Sequence, residues 1–147
     1  MRIAMKITLH LAATVLLAAS SPARAQAGAD DSVYQGLGGK EGIRRIVGSF
    51  IPLIQADARI SASFRDADIK QLAQRLGEQF CELSGGPCKY KGKSMEEIHD
   101  GLNVTNAQFN ALTEDLQIAM EANQVPSRIQ NKLVAKLAPM QRQIVTK

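Results

Sequence analysis

One histidine is the side chain in this sequence with the most evident capacity to bind a metal or move a proton. The 147-residue chain contains two histidines, His10 and His99. His10 lies in an N-terminal segment that we expect to be cleaved, so His99 is the only imidazole of the predicted mature chain. A Ser-His-Asp or Cys-His mechanism would have to use His99, and no nucleophile-elbow motif lies near it. One histidine and two cysteines are too few ligands for a structural zinc site, which takes four.

Other common chemical motifs are also missing from the sequence. No C-x-x-C-H segment is present for covalent haem attachment. Two glycine pairs, Gly38-Gly39 and Gly85-Gly86, are not followed by the Lys-Ser or Lys-Thr of a phosphate-binding loop. The sequence therefore gives no support for nucleotide hydrolysis or for a cytochrome c.

The neighbourhood of His99 in the sequence is rich in apolar and aromatic side chains. They are Phe64, Phe80, Tyr90, Met95, Val104 and Phe109. A neutral imidazole beside an apolar pocket is what a non-covalent haem requires, because one ring nitrogen binds the iron and the macrocycle lies against apolar groups. The composition alone leaves a second interpretation open, in which His99 is an incidental residue of a haem-free helical interaction domain.

The N-terminus has the pattern of a cleavable secretory signal. Arg2 and Lys6 precede an apolar run over residues 7–19, and a small-residue A-x-A triplet follows at 23–25. The apolar run is too short to span a bilayer comfortably. We therefore predict a signal peptide over residues 1–25 and export to a bacterial periplasm.

The mature chain should be a single domain with an almost balanced charge. We predict a flexible leader over residues 26–32 and one domain over 33–147. Without the signal peptide the chain has 15 basic and 14 acidic side chains, so its net charge of +4 is in part a property of the signal. A nucleic-acid partner is not expected, because nucleic-acid binding proteins need a basic surface. Insertion of the mature chain into a membrane is not expected either, since no later apolar run is long enough.

The periodicity of the mature chain is helical. Apolar residues recur at three- and four-residue spacing in four long segments, the first over residues 40–56. Ser94 and Thr105 each begin a capping box, which marks a helix N-terminus. The short helix after Ser94 carries His99, and Pro139 is expected to kink the last long helix. No segment alternates as a strand would, so the predicted fold class is all-α, with four long helices and one short one.

The glycines, prolines and aromatic residues form a pattern that resembles the group I truncated haemoglobins, the small two-over-two helical globins. The matching motifs are Leu37-Gly38-Gly39, Phe50, Ala56-Asp57, Phe64, Gly85-Gly86-Pro87, Tyr90-x-Gly92, Met95-x-x-x-His99-x-Gly101, Phe109, Val125-Pro126 and Leu137-Ala138-Pro139. The resemblance covers residues 37–140. It implies a truncated two-over-two globin fold and heme b held without a covalent bond.

The resemblance also implies roles for individual residues. His99 matches the proximal haem ligand, and the carbonyl of Met95, one helical turn earlier, is placed to accept the N–H of its ring. Phe64 matches the phenylalanine that packs on the haem face, and Arg75 is a candidate for contact with a haem propionate. The rest of the predicted apolar wall consists of Leu72, Leu76, Tyr90, Met95, Val104, Phe109, Leu112, Leu116 and Leu137.

The predicted distal side differs from the family. A tyrosine that hydrogen-bonds iron-bound dioxygen commonly follows the phenylalanine of the first long helix, and Ile51 occupies that position here. Two positions of the distal helix that are often polar are Leu72 and Leu76. Gln79, one turn further along, is the nearest polar candidate. This difference argues against tight oxygen retention and oxygen-dependent nitric-oxide oxidation, and it leaves haem binding unaffected.

The two cysteines of the chain suggest a disulfide. Cys81 and Cys88 flank Gly85-Gly86-Pro87, and an even cysteine count in an exported chain favours a bridge. The glycines permit the turn that would bring the two side chains together. Two separate thiols are the alternative.

The sequence therefore predicts an exported haem protein that binds a small diatomic gas (O₂, CO or NO) at a His99-ligated ferrous iron, as a carrier, scavenger or sensor. An enzyme on the same scaffold that turns over nitric oxide or peroxide is the first alternative, with an unidentified redox partner. The haem-free helical interaction domain is the second.

Overall fold

The computed structural model describes residues 30–147, so the predicted signal peptide and most of the leader lie outside the described part of the chain. The described residues form seven α-helices and two short 3₁₀ segments, and they contain no strand. The α-helices are α1 (Ser32–Gly36), α2 (Gly39–Ala56), α3 (Ile69–Leu83), α4 (Met95–His99), α5 (Asn106–Ala122), α6 (Ser127–Leu137) and α7 (Gln141–Ile144). The 3₁₀ segments are Ser61–Phe64 and Ala138–Met140.

Four long helices form the body of the fold. Helix α2 packs on both α3 and α5, and α6 packs on α3 and α5. The short helix α4 is held mainly by α7. The core between the helices is apolar, and its fully buried large side chains include Phe50, Ile54, Leu116 and Leu133. Burial of such side chains is the main source of stability in a domain of this size. The all-α two-over-two prediction is confirmed.

Local sequence signals determine where the two helices nearest His99 begin. At the start of α4, the Ser94 hydroxyl accepts the Glu97 N–H, and the Glu97 carboxylate accepts the Ser94 N–H at 2.9 Å. Thr105 and Gln108 form the same reciprocal pair at the start of α5. These bonds satisfy N–H groups that have no partner inside a helix. Both predicted capping boxes are present.

The chain departs from the predicted helices at its two ends. Residues 32–36 form α1, which the sequence interpretation left unassigned, so Ser32 belongs to a helix rather than to the leader. The last helix was expected to continue through a kink at Pro139. Instead α6 ends at Leu137, and a 3₁₀ turn that contains Pro139 separates it from α7. Proline lacks the N–H that would continue the α-helical bonding, which explains the break.

A disulfide joins the end of α3 to the loop that follows it. Cys81 and Cys88 have Cα atoms 5.7 Å apart and their sulfurs are bonded. A Cβ atom at Gly86 would lie 2.7 Å from the Cys81 sulfur and 2.6 Å from the Tyr34 ring, so the turn has room only for glycine at that position. The bridge ties the loop that leads to α4 onto α3.

Loss of this disulfide should lower the free energy of unfolding by about 2.5 kcal/mol, the loop-entropy value for a closed loop of about eight residues. Urea unfolding with and without dithiothreitol measures the change. The double variant Cys81→Ala with Cys88→Ala should start from the lower stability and show no response to the reductant. Two free thiols in the oxidised, denatured protein would contradict the bridge.

Asp115 on α5 is a buried carboxylate without adequate partners. The residue is 5% exposed, and its Oδ2 atom has no hydrogen-bond partner among the described residues. Burial raises the pKa of Asp115, and the nearby Asp57 carboxylate raises it further, while Arg59 opposes both effects. Arg59 is itself engaged with Asp57 at 2.7 Å and Glu114 at 2.6 Å. The ionised form of Asp115 is therefore unfavourable in the folded state.

Replacing Asp115 with asparagine should raise the free energy of unfolding at pH 7 by about 1 kcal/mol, the lower end of the cost of an unsatisfied buried polar group. Because the folded pKa is raised, the wild type loses stability as pH rises through it. The advantage of the variant should therefore shrink as pH falls from 7 towards 4. Urea unfolding at several pH values measures this. Asp66→Asn, at an exposed position, is the control, and an equal advantage at every pH would contradict the explanation.

Candidate haem site

The side chain of His99 is oriented by its own helix. Its Nδ1 atom lies 2.6 Å from the carbonyl oxygen of Met95, one turn earlier on α4. A carbonyl can only accept, so Nδ1 carries the proton and donates it. The Nε2 atom then has its lone pair available for a metal. Gly101 ends this segment with a φ of 74°, in the left-handed region that favours glycine.

His99 lines a cavity of about 140 Å³ that is enclosed by most of the helices. The cavity lies between α3 on one side and α4 on the other, and residues of α2, α5, α6 and α7 complete its wall. The predicted site residues that line it are Phe64, Leu72, Arg75, Leu76, Gln79, Tyr90, Met95, His99, Phe109, Leu112, Leu116 and Leu137. The structure thus brings eleven dispersed residues together around the imidazole of His99.

Two predicted site residues lie elsewhere. Ile51 lines a groove between α2 and α3 and is absent from the lining of the cavity, where α2 contributes Phe50 and Ile54 instead. Val104 is buried outside the cavity lining, and its carbonyl oxygen accepts N–H groups from Thr146 and Lys147. Val104 therefore anchors the C-terminal segment. The structure brings neither Ile51 nor Val104 to the lining of this cavity.

The sequence interpretation assigned no site role to several residues of the wall. They are Phe50, Ile54, Phe80, Ile98, Thr113, Met140 and Ile144. Phe80, Ile98 and Thr113 lie one turn from a predicted wall residue on the same helix, and helical spacing could have indicated them. Met140 and Ile144 follow the break at Pro139, so their direction depended on a turn that periodicity did not describe.

Gln79 is a polar residue inside the apolar cavity. Its side chain is 8% exposed, and its Nε2 atom lies 3.3 Å from the Met95 sulfur and 3.5 Å from the Met140 sulfur. Thioether sulfurs are weak acceptors, so the buried amide has no strong acceptor for its protons. Both methionine side chains are unbranched and adapt readily to a change in cavity shape.

Charged groups are confined to the rim of the cavity. The Arg75 guanidinium, which is 30% exposed, donates to Glu78 at 2.7 Å. Hydrogen bonds from the Gln74 and Arg75 side chains and the Lys91 backbone N–H lower the pKa of Glu78 to about 2. Burial raises the pKa of the Tyr90 hydroxyl above its ordinary value. The rim thus carries a fixed ion pair, while the interior is apolar apart from a few polar side chains.

Gly92 explains the Tyr-x-Gly spacing. A Cβ atom at this position would overlap the Tyr90 ring and hydroxyl, so the tyrosine lies directly on the glycine backbone. Tyr90 is held in the wall by this close approach. A larger residue at position 92 would force its ring to move.

The sequence of this chain also matches a known protein family. The Bacterial-like globin family matches residues 32–146. The chain is a bacterial-like globin. A group 1 truncated haemoglobin of Mycolicibacterium paratuberculosis is 30% identical over 115 residues, which cover 78% of this chain and 85% of that protein. A group 1 truncated haemoglobin of Tetrahymena thermophila is 32% identical, over 67% of this chain and 81% of that protein.

Solved structures agree with this identification. The Fe(III) form of the Tetrahymena pyriformis truncated haemoglobin is 28% identical and covers 78% of this chain and 98% of its own, with a TM-score of 0.76. A 2/2 haemoglobin of Synechococcus with a covalently attached haem has a TM-score of 0.72 at 21% identity and supports the fold alone, covering 78% of this globin and 98% of its own chain. The predicted group I resemblance is confirmed, and membership of the family supports haem-based gas binding in general.

The residues of the cavity fit a haem. The free Nε2 atom of His99 would bind the haem iron, and the apolar side chains of the wall suit the faces of a macrocycle. Among the described residues, no group of three or more His, Cys, Asp or Glu side chains could hold a bare metal ion. His99 is therefore the one imidazole in a cavity whose other lining side chains are mostly apolar. No helix in residues 30–147 has the length and hydrophobicity to cross a membrane.

Proposed function

We propose that this globin holds heme b without a covalent bond, through His99 Nε2, and binds a small diatomic gas at the ferrous iron. The observation that carries the proposal is the hydrogen bond from His99 Nδ1 to the Met95 carbonyl, which leaves Nε2 free at the wall of an apolar cavity. Bound haem would supply the gas-binding iron. The role of the protein is to hold the imidazole in one tautomer and to exclude water from the cavity.

Different residues around the cavity would contact different parts of the haem. Leu72 and Leu76 from α3 would cover the face opposite His99, and Phe64 would pack beside them. Arg75, on the exposed rim, is placed to meet a propionate, for which it would exchange its bond to Glu78. Such exchange replaces one charge-assisted hydrogen bond with another of similar strength.

The absorption spectrum of the purified protein tests the proposal. The holoprotein should show a strong Soret band, and reduction followed by carbon monoxide should shift that band. Acidified butanone should extract all of the haem, as expected for a non-covalent group. A colourless protein that also fails to bind added haemin would instead support the haem-free interaction domain.

We further propose that the mature protein works in the periplasm after removal of residues 1–25, as carrier, scavenger or sensor of the gas. The signal pattern and the disulfide support export, since disulfides persist in oxidising compartments. Sequencing of the periplasmic protein should give an N-terminus at Gln26.

Rapid mixing of the ferrous protein with nitric oxide or peroxide distinguishes a carrier from an enzyme, because only an enzyme would turn over repeatedly.

A further inference from the structure

A second concave site lies between α2 and α3, on faces of these helices that do not line the haem cavity. It is a groove of about 780 Å³. Its apolar lining comes from Ile43, Val47, Ile51, Pro52, Ile69 and Ala73. Open space lies beside two glycines of the lining, because a Cβ atom at Gly48 or Gly77 would meet nothing within 4 Å. Volumes of about 300–1,000 Å³ are typical of sites for small organic ligands.

The rim of the groove carries a net positive charge. Lys40, Arg44 and Lys70 line it together with one acid, Glu78. Glu78 already accepts hydrogen bonds from the Arg75 guanidinium and the Lys91 N–H, so its charge is compensated from within the protein. Neither lysine of the rim forms an ion pair with any residue of the described chain. An anion at the rim would therefore find the lysines without an ion-pair partner among the described residues, and it would share the Arg44 guanidinium with Glu41, whose carboxylate lies 2.9 Å from it.

Two of these cations lie at the same end of the groove. Lys40 and Arg44 are one turn apart on α2, beside the end at which the disulfide Cys81–Cys88 closes the lining. Tyr34 also lies near this end of the groove. A Cβ atom added at Gly39, at the start of α2, or at Gly86, between the two cysteines, would lie within 4 Å of the Tyr34 ring. The groove thus has a cationic end, from which the apolar lining extends along the two helices.

We propose that the groove binds one free long-chain fatty acid, with its carboxylate at Lys40 and Arg44 and its alkyl chain along the apolar lining. Burial of the methylene groups removes apolar surface from water, which makes the alkyl chain the main source of affinity. The two cations then fix the direction of the chain, since a charge-assisted hydrogen bond is stronger than a neutral one. This site is separate from the haem cavity and does not depend on the proposed gas function.

Titration of the full mature holoprotein with laurate by isothermal calorimetry, at a concentration where laurate is monomeric, tests the proposal. One molecule should bind per chain. The variant Lys40→Glu with Arg44→Gln should weaken laurate binding at least tenfold and leave binding of the neutral analogue dodecanol unchanged. Lys132→Glu, at an exposed position on α6 that does not line the groove, is the matched charge control and should have no effect.

A variant in which a larger side chain fills the groove provides the second test. Gly77→Leu fills open space on α3, and leucine has a higher helix propensity than glycine, so the variant should fold at least as stably as the wild type. It should bind neither laurate nor dodecanol while its Soret spectrum stays unchanged. Absence of saturable binding, an equal loss in Lys132→Glu, or association with anionic vesicles but not with monomeric laurate would each overturn the proposal.

Discussion

Replacing His99 with alanine should abolish the five-coordinate ferrous haem spectrum of this globin. Among the described residues His99 is the only histidine, and its Nδ1–H is already donated to Met95, so its Nε2 atom is the one imidazole nitrogen that can bind iron. Free imidazole diffusing into the space left by the side chain should partly restore the spectrum. Absorption spectra of the reduced variant, with and without imidazole, measure both effects.

Asp100→Ala is the matched control for this experiment. Asp100 is the exposed neighbour of His99 and follows the last residue of α4. Its loss should leave the spectrum as it is in the wild type. An unchanged spectrum in His99→Ala would show that another residue binds the iron and would remove the basis of the proposed function.

Much of the His99 environment could be predicted because it depends on short-range sequence. The capping box at Ser94 and the Met95-to-His99 spacing lie within one turn of each other, and each acts through bonds that an isolated segment can make. The position of Cys81 and Cys88 around two glycines is similarly local. For these features the sequence contains all of the interacting groups within a few residues.

The direction of a side chain between two packed helices could not be predicted in the same way. Phe50 and Ile51 are adjacent on α2, both are buried, and both satisfy the helical periodicity. Periodicity identifies a buried face, but it does not say which of two concave sites that face borders. Phe50 borders the haem cavity and Ile51 the groove, and these two sites form only when α2 packs on α3 and α5, which are distant in sequence from much of α2.

Dioxygen should leave the ferrous protein quickly, whereas carbon monoxide should be comparatively well retained. Bound dioxygen draws charge from the iron, and a polar donor above it would stabilise that charge. The side chains of α3 that would cover the face opposite His99 are Leu72 and Leu76, which offer no donor. The Gln79 amide is directed towards the sulfurs of Met95 and Met140.

A hydrogen bond to a charged acceptor is worth about 1.5–3 kcal/mol, which corresponds to about a ten- to hundredfold change in a rate. Leu76→Gln, which places a donor on the cavity wall, should therefore slow dioxygen release at least about tenfold and change carbon monoxide release much less. Leu76→Met, which keeps the side chain apolar and of similar size and adds no donor, is the matched control and should change dioxygen release little. Ligand displacement followed by rapid mixing measures these rates. Slow release in the wild type that is lost in Gln79→Leu would identify Gln79 as the donor and contradict the apolar distal pocket.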